Sequence, residues 1–412
     1  MRQSLQSVRS ALTALLLLSA LCTPGAAEPP VILSFDRSDS LVFSPGSTDG
    51  VFRVEWAPRA AGPWRISWQG NGWVDGTPGG TLNAEVPLFF RLATDGHPPP
   101  GMSLVDGGPF LMGDPYAQGD PDELPRHRVD VSAFYIDRFE VSYGRYRRVM
   151  KWAVDQGLAK VVFSVLNPPF QWYYNVNTQG VERVLYAAYG AHLFPNETGP
   201  GGHPRIDDGY SQVACAQVSW CGALAFCNYL SDMEGLERCI DMDTWEIDVS
   251  KSGYRLPTEA EWEKAARAGL VGHHFPWYGA GGHFSEHIDP SKANYDGDGS
   301  DRGPLPVGFY NGNQNPAGQD MANRYGLYDM GGNVYEWCCD RYQDDWYGQP
   351  EATQPNPIGP SDPAYPGRVL RGGGDTPSSI VDNAVDVRCT ARTSGAAELT
   401  AAGVGFRAVR RP

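Results

Sequence analysis

Cysteines are the side chains in this sequence best suited to redox chemistry and to binding soft metals, and there are eight of them. No two are spaced as Cys-x-x-Cys, which argues against a structural zinc ribbon. Cys22 falls in a predicted signal peptide, so the mature chain would keep an odd number. At least one thiol is then expected to be unpaired or bonded to another chain. The remaining cysteines are Cys215, Cys221, Cys227, Cys239, Cys338, Cys339 and Cys389.

Histidines are the second group of side chains that could bind a metal. His273, His274, His283 and His287 lie close together in the sequence. They could form a metal site, but their irregular spacing in a predicted loop favours solvated side chains instead.

Three helices are predicted to position the side chains of the later part of the chain. The first begins after Ser142 and the second after Ser219, each with a serine as N-cap and apolar residues at helical spacing. The third has a capping box formed by Thr258 and Glu261, and it is expected to end at Gly269.

The segment between the first two helices, residues 158–212, is predicted to be a long loop or an insertion, rich in aromatic residues. Its aromatic run could wall a pocket or could pack the insertion onto the domain. Two short strands are predicted near the C-terminus, over residues 368–371 and 404–409. The aromatic run comprises Phe170, Trp172, Tyr173 and Tyr174.

The N-terminus has the features of a secretory signal peptide over residues 1–27. Arg2 and Arg9 precede an apolar run, and small residues lead up to Ala27. The run is too short to span a bilayer, and no later segment has enough consecutive apolar residues to do so. We therefore expect cleavage near Ala27 and a secreted or periplasmic mature protein.

Residues 28–95 are predicted to form a small β-domain, because Phe52, Val54 and Trp56 alternate with polar residues and turn signals separate the runs. Residues 96–100 are rich in proline and are predicted to be a stiff linker. The rest of the chain, residues 101–412, would be the main domain.

The composition limits the classes of function. With 33 Lys and Arg against 48 Asp and Glu, the net charge is −15, which argues against nucleic-acid binding and against docking on anionic membranes. The 49 glycines and 34 prolines predict a turn-rich chain with few long helices, while 41% hydrophobic residues suffice for a packed core.

Several stretches, in order along residues 101–412, resemble one family. The domain resembles the formylglycine-generating enzyme, or sulfatase-modifying factor, family. This resemblance implies an α+β fold of the C-type-lectin-like kind with little regular secondary structure, preceded here by the small all-β module. The matching stretches are AFYIDRFEVSY ending at Tyr143, GYRLPTEAEWEKAARA over residues 253–268, GLYDMGGNVYEW over residues 326–337, Arg371-Gly372-Gly373 and Gly405-Phe406-Arg407.

The resemblance also implies a copper(I) site that this chain lacks. The family's two copper-binding cysteines would lie between residues 374 and 388, where the sequence GDTPSSIVDNAVDVR contains no cysteine. Copper needs soft thiolate ligands, so neither bound copper nor copper-dependent cysteine oxidation is expected. The iron site of the ergothioneine-pathway members is not expected either, because residues 28–95 are neither helical nor rich in histidine.

Calcium is the cofactor that the resemblance favours. Asp329 and Glu336 match side-chain ligands of a family calcium site, and Gly332 and Val334 match its backbone carbonyls. The alternative is that the acidic side chains only pin loops by hydrogen bonds. A second calcium site would be formed by Asn294, the carbonyl of Tyr295 and Asp301.

A disulfide is predicted between Cys227 and Cys389. Each matches one member of a different family disulfide, and their usual partners are replaced by Ala408 and Ala266. The alternative is that both are buried free thiols, which behave as small apolar groups.

A ligand groove is predicted where the insertion meets the C-terminal loops, because Arg392 matches an arginine of the family's substrate groove. Trp172 would lie on one side of this groove, with Asp375, Asp386 and Arg392 on the other.

Three functions follow. The favoured one is a calcium-stabilised binding or scaffold protein whose partner is an unidentified protein or small molecule. The second is an oxidoreductase that uses chemistry without cysteine. The third, a formylglycine-generating oxidase acting on sulfatases, requires the cysteine pair that is missing.

Overall fold

The computed structural model describes short strands between residues 31 and 94 and, beyond them, residues 98–164, 170–175, 183–189, 211–277, 288–295, 303–314, 318–374 and 384–412. The chain divides into two compact units, residues 1–97 and residues 98–412. Each is described by itself.

In the first unit the described strands form antiparallel pairs, as the alternating sequence predicted. The strand that contains Phe52, Val54 and Trp56 is confirmed. The pairs are β1 (Val31–Phe35) with β2 (Leu41–Ser44), β3 (Phe52–Ala57) with β6 (Phe89–Thr94), and β4 (Val74–Asp75) with β5 (Asn83–Ala84).

The three predicted helices of the second unit are confirmed. They are α1 (Tyr143–Asp155), α2 (Trp220–Met233) and α3 (Glu259–Arg267). Each begins where a hydroxyl accepts a hydrogen bond from the first turn: Ser142 caps α1, Ser219 caps α2 and Thr258 caps α3. The carboxylate of Glu261 also accepts from the amide of Thr258, which completes the predicted capping box.

The strands of the second unit form several small sheets rather than one large one. The strands are β7 (Met102–Val105), β8 (Gly108–Met112), β9 (His127–Val131), β10 (Phe134–Asp137), β14 (Tyr335–Arg341), β15 (Arg368–Arg371), β16 (Arg392–Gly395), β17 (Val404–Gly405) and β18 (Val409–Arg410). A four-stranded sheet has the order β16-β15-β14-β17, and a three-stranded sheet has the order β18-β10-β7. The strands β8 and β9 form an antiparallel pair.

The segment predicted as a long loop contains an antiparallel three-stranded sheet instead. Its strands are β11 (Ala159–Ser164), β12 (Phe170–Asn175) and β13 (Val184–Tyr189), with β12 in the centre. The prediction missed them because β-branched and aromatic residues promote strands only when a neighbouring strand is available to pair with. The insertion is therefore ordered by its own pairing over these strands.

The strand predicted over residues 404–409 is also corrected. Val404–Gly405 pairs in parallel with β14, whereas Val409–Arg410 pairs antiparallel with β10. The residues between them leave the ladder: the carbonyl of Phe406 accepts from the amide of Val141. The segment therefore bridges two sheets and is not one continuous strand.

The core is built around the helices. In the cluster around α1 and α2, the ring of Tyr146 stacks on that of Phe226 with centroids 5.6 Å apart. A second cluster surrounds Trp262 of α3. The unit is an α+β domain with few helices, as predicted. Among the residues that the structure describes, no helix has the length and apolar character needed to cross a bilayer.

Candidate functional site

A cluster of carboxylates lies where the segment after β10, the strand β14 with the loop before it, and the segment after β17 meet. It consists of Glu140, Asp329, Glu336 and a single arginine, Arg407, and we refer to it as the carboxylate cluster. Glu336 and Arg407 are completely buried, Glu140 is 2% exposed, and Asp329 is half-buried. Glu336 is paired with Gly405 in the parallel ladder of β14 and β17, which places Arg407 beside it.

Glu336 has a full set of hydrogen-bond donors within the protein. The Nε of Arg407 donates to both carboxylate oxygens at 2.9 and 2.7 Å, and its Nη2 donates to Oε1 at 2.6 Å. The indole Nε1 of Trp262 donates to Oε2 at 2.8 Å. Arg407 therefore neutralises Glu336 directly, in the fork geometry that suits a carboxylate.

Among the described residues, no arginine or lysine forms an ion pair with the other two carboxylates of the cluster, Asp329 and Glu140. Burial raises the pKa of Asp329 to about 6, and the charge of Glu336 adds to the rise. The hydrogen bond from the amide of Gly308 and the charge of Arg407 act in the opposite direction and limit the rise. Burial, followed by the charges of Asp329 and Glu336, raises the pKa of Glu140 well above its ordinary value. Three acids thus face one guanidinium, and the environment favours a further positive charge.

Asn333 connects this cluster to the residues of the second predicted calcium site. Its Nδ2 donates to Glu140 at 2.7 Å, and its backbone amide donates to the carbonyl of Asn294 at 2.8 Å. Gly332 has φ +105°, and a Cβ at this residue would lie 2.6 Å from that same carbonyl oxygen, so glycine is required here. The two predicted calcium sites are therefore adjacent.

The second predicted site is only partly described. The side chain of Asn294 is buried and donates to the carbonyl of Gly303 at 2.9 Å, and Tyr295 is buried next to it. Asp301 lies outside the described residues.

A cavity of about 10 Å³ lies beside Asp329, enough for one water molecule or a small ion. Gly331, Lys292 and Trp277 also line it, and the indole Nε1 of Trp277 is buried without a hydrogen-bond partner. Within the described ranges, no three side chains of His, Cys, Asp or Glu are arranged to hold a metal ion together. A cation here would need backbone carbonyls, as predicted for Gly332 and Val334.

The cysteines of the described residues are all free and buried. The predicted Cys227–Cys389 disulfide is not formed: Cys227 belongs to the cluster around α1 and α2, and Cys389 to the cluster around α3. The apolar side chains of each cluster surround its thiol. Burial raises the pKa of Cys227 well above its ordinary value and that of Cys389 to about 12, so both stay protonated and unreactive.

Arg392, predicted to line the groove, is instead held inside the protein. Its Nε and Nη2 donate to the two carboxylate oxygens of Glu259 at 2.7 and 3.0 Å, and its guanidinium lies over the ring of Tyr347. Asp386, which lies close to Arg392 in the sequence, is partly buried. Trp172 lies in the central strand of the insertion, paired with Val162 and Ala187, and its side chain is outside the described part of the structure.

Asp375 also lies outside the described residues, so the groove as a whole stays a prediction.

The histidine cluster is described in part. The ring of His274 stacks on Tyr116 with centroids 5.2 Å apart, while His283 and His287 lie outside the described residues.

A second group of buried charges was missed by the sequence analysis. Glu263 receives hydrogen bonds from Arg267 at 2.8 Å and from Arg371 at 2.5 Å, and Glu259 pairs with Arg392. We refer to these five residues as the arginine network. The i,i+4 spacing of Glu263 and Arg267 was a detectable signal, but that spacing usually indicates an exposed helix face. Glu140 was missed as well, although it lies within one of the matching stretches.

Comparison with known proteins gives a family match over most of the chain. Residues 90–412 match the model described as a sulfatase-modifying factor enzyme 1-like domain. The chain is 28% identical over 310 residues to a serine/threonine-protein kinase Pkn1 of Chlamydia trachomatis, covering 75% of this chain and 38% of the kinase. The chain therefore spans well under half the length of that relative.

Two further relatives match over most of their own length. The formylglycine-generating enzyme of Thermomonospora curvata is 30% identical over 332 residues, covering 76% of this chain and 94% of the relative. A mouse protein named inactive C-alpha-formylglycine-generating enzyme 2 is 28% identical over 298 residues, covering 70% of this chain and 85% of the relative.

Proposed function

Because the chain belongs to the family of sulfatase-modifying factor enzyme 1-like domains, we propose that it is a secreted, calcium-stabilised binding or scaffold protein. It does not carry out copper-dependent oxidation of cysteine. That one relative is named an inactive enzyme supports such a role within this family.

The observation that carries the proposal is the lack of a reactive thiol at the C-terminal loop. Residues 374–388 contain no cysteine, and the next one, Cys389, is 1% exposed with its pKa raised to about 12. Copper(I) binds thiolates, and a thiol that stays protonated in an apolar environment is a poor ligand. The cysteine-based chemistry of the formylglycine-generating enzymes therefore has no counterpart here.

The donor set of the carboxylate cluster fits a hard cation such as calcium. Its three acids exceed its one arginine by two negative charges when ionised, and a buried charge without a partner is costly. Asp329 and Glu336 would supply side-chain oxygens, and Gly332 and Val334 would supply carbonyls. Bound calcium would offset the negative charge and tie the loop before β14 to the strand.

The two acidic ligands are expected to differ in importance. Both oxygens of Glu336 already accept hydrogen bonds from Arg407, so this carboxylate is stabilised without a metal. Asp329 accepts from the amide of Gly308 through Oδ2 and has no cationic partner at ion-pair distance among the described residues. Asp329 is therefore the ligand whose removal should abolish the calcium effect.

The calcium proposal is tested by thermal unfolding of the full mature chain with added calcium or with a chelator. Wild type should melt at a higher temperature with calcium, while Asp329→Asn should melt at the same temperature in both. Asp155→Asn, in an exposed pair with Lys151, is the matched control and should keep the calcium response. A wild-type curve that calcium does not move would exclude a stabilising calcium site.

The proposed lack of oxidase activity is tested separately. The purified chain is incubated with copper, oxygen and a cysteine-containing sulfatase-type peptide, with the Thermomonospora curvata relative as positive control. We expect no formylglycine by mass spectrometry; its appearance would overturn this part of the proposal.

The groove and the secretion are further parts of the proposal. We expect a ligand to contact Trp172, Asp375 or Asp386, since Arg392 already pairs with Glu259. Trp172→Ala and Asp386→Asn should weaken binding to a ligand found on a glycan or peptide array; if neither does, the groove lies elsewhere.

N-terminal sequencing of exported protein should give a chain that starts after Ala27.

A further inference from the structure

Two arginines lie directly opposite each other on neighbouring strands. Arg341 at the end of β14 is paired with Arg368 at the start of β15 in the antiparallel ladder. Like charges at directly opposed positions destabilise a sheet. In a chain with a net charge of −15, a pair of opposed cations requires an explanation.

Neither guanidinium contacts a carboxylate in the described part of the chain. Arg341 donates from Nη1 to the carbonyl of Tyr365 at 3.1 Å, and Arg368 donates from Nη1 to the carbonyl of Cys339 at 3.2 Å. A guanidinium carries five N–H donors, so most donors of both side chains have no acceptor among the described residues. By contrast, Arg371 on the same strand as Arg368 pairs with Glu263 at 2.5 Å.

Packing holds Arg368 in place and keeps its charge partly out of water. Its guanidinium lies over the ring of Trp220, 3.6 Å from the centroid, and its Nε is buried without a hydrogen-bond partner. Burial, followed by the charge of Arg341, lowers the pKa of Arg368 to about 10. Stacking on a ring leaves the edge of the guanidinium, where the donors are, available to a ligand.

A third arginine, Arg183, lies near the start of α2, the helix that begins with Trp220. The Oγ of Ser219 donates to the carbonyl of Val184 at 2.6 Å, which brings Arg183 next to the start of the helix. Arg183 pairs through Nη1 with Glu398 at 2.7 Å, and its Nε is also buried without a partner. The charges of Arg183 and Arg368 both act on Cys221 in the first turn of α2, where they oppose the rise of its pKa on burial, so these two guanidinium groups lie near each other. Among the described residues only Arg183 of the three arginines forms an ion pair.

We propose that Arg341 and Arg368, with Arg183 at the edge, bind a tetrahedral oxyanion such as phosphate or sulfate. Such an anion accepts several hydrogen bonds at once, which guanidinium groups on two directly opposed residues of neighbouring strands can supply. It also neutralises the repulsion between the two arginines. The group could be a free ion or the terminal ester group of a larger ligand, because both present the same oxygens. The site is independent of the calcium proposal, since none of its residues belongs to the carboxylate cluster.

The experiment measures binding of inorganic phosphate to the full chain by calorimetry and thermal shift, against sodium chloride of equal ionic strength. We expect phosphate to raise the melting temperature of wild type more than chloride does. Methyl phosphate distinguishes a free ion from the ester group of a larger ligand. If it binds as tightly as inorganic phosphate, the site accepts a phosphate monoester; if only inorganic phosphate binds, the ligand is a free ion.

The variants locate the site. Arg341→Gln should weaken phosphate binding about 10- to 100-fold, because charge-assisted hydrogen bonds are lost. Arg341→Lys keeps the positive charge but not the planar guanidinium, so its affinity for phosphate should lie between that of Arg341→Gln and that of wild type. Arg411→Gln, an exposed arginine near the C-terminus, is the matched control and should bind as wild type does. A phosphate effect no larger than that of chloride, or undiminished binding by Arg341→Gln, would overturn the proposal.

Discussion

The carboxylate cluster and the arginine network are both buried charge groups, yet their charge balance is opposite. In the arginine network, Arg267, Arg371 and Arg392 outnumber Glu259 and Glu263. Burial alone would raise the pKa of Glu263, but Arg267, Arg371 and the amide of Gly113 hold it below its ordinary value. In the carboxylate cluster the acids are in excess, and the pKa of Asp329 rises to about 6.

This difference indicates which of the two charge groups needs a bound cation or proton to be neutralised. A fully paired network is complete when the chain folds, because each buried carboxylate has its guanidinium. A cluster with excess negative charge is complete only with an added cation or a bound proton. We therefore expect the arginine network, like the Glu336–Arg407 pair, to stabilise the domain with or without calcium, whereas Asp329 should stabilise it only when calcium is bound.

The largest effect is expected from breaking the arginine network. Glu263→Gln should lower the free energy of unfolding by about 3–5 kcal/mol, because Arg267 and Arg371 lose a buried partner. Urea unfolding measures this loss, and calcium should not reduce it. A loss that calcium restores would mean that the two groups do not differ as proposed.

The next largest effect is the calcium response itself. At a calcium concentration about 100 times its dissociation constant, the wild-type free energy of unfolding should rise by about 2.7 kcal/mol. Asp329→Asn should lose this rise, while Glu336→Gln should be destabilised with and without calcium because it removes the partner of Arg407. Urea unfolding of both variants, with calcium or with a chelator, separates the two roles. Equal behaviour of the variants would contradict the assigned difference.

Lys264 is a buried cation that forms no ion pair with a carboxylate among the described residues, and it can be compared with the two charge groups. Its Nζ donates to the carbonyl of Gly108 at 2.6 Å, and burial lowers its pKa from 10.5 to about 8. Between these values the unfolded chain keeps a proton that the folded chain has released, so stability should rise with pH.

Lys264→Met removes this titration. The stability of wild type relative to the variant should rise by about 1–3 kcal/mol from pH 7.5 to pH 10. Urea unfolding of both proteins across this range measures the difference. A constant difference would show that Lys264 keeps an ordinary pKa.

The smallest effect is expected at the surface. Lys151 and Asp155 form an exposed i,i+4 pair in α1 at 2.6 Å. Lys151→Met should change the free energy of unfolding by less than about 0.5 kcal/mol, because solvent screens such pairs. A change as large as that of Glu263→Gln would mean that burial does not distinguish these ion pairs.

The sequence by itself determined the features that depend on residues near one another in the chain. The capped starts of the three helices are local, because Ser142, Ser219 and Thr258 each accept from an amide three residues further on. The family and the α+β class followed from ordered motifs. That residues 374–388 contain no cysteine is likewise a property of the sequence alone.

Only the tertiary structure decided how distant charges and thiols are paired. Arg407 and Glu336 are 71 residues apart, and the ladder of β14 and β17 joins them. Arg392 is drawn to Glu259 across 133 residues, and Cys227 and Cys389 are separated into two cores. The physical reason is that burial, more than residue type, sets the energy of a charge or a thiol, and burial is known only once the chain has packed.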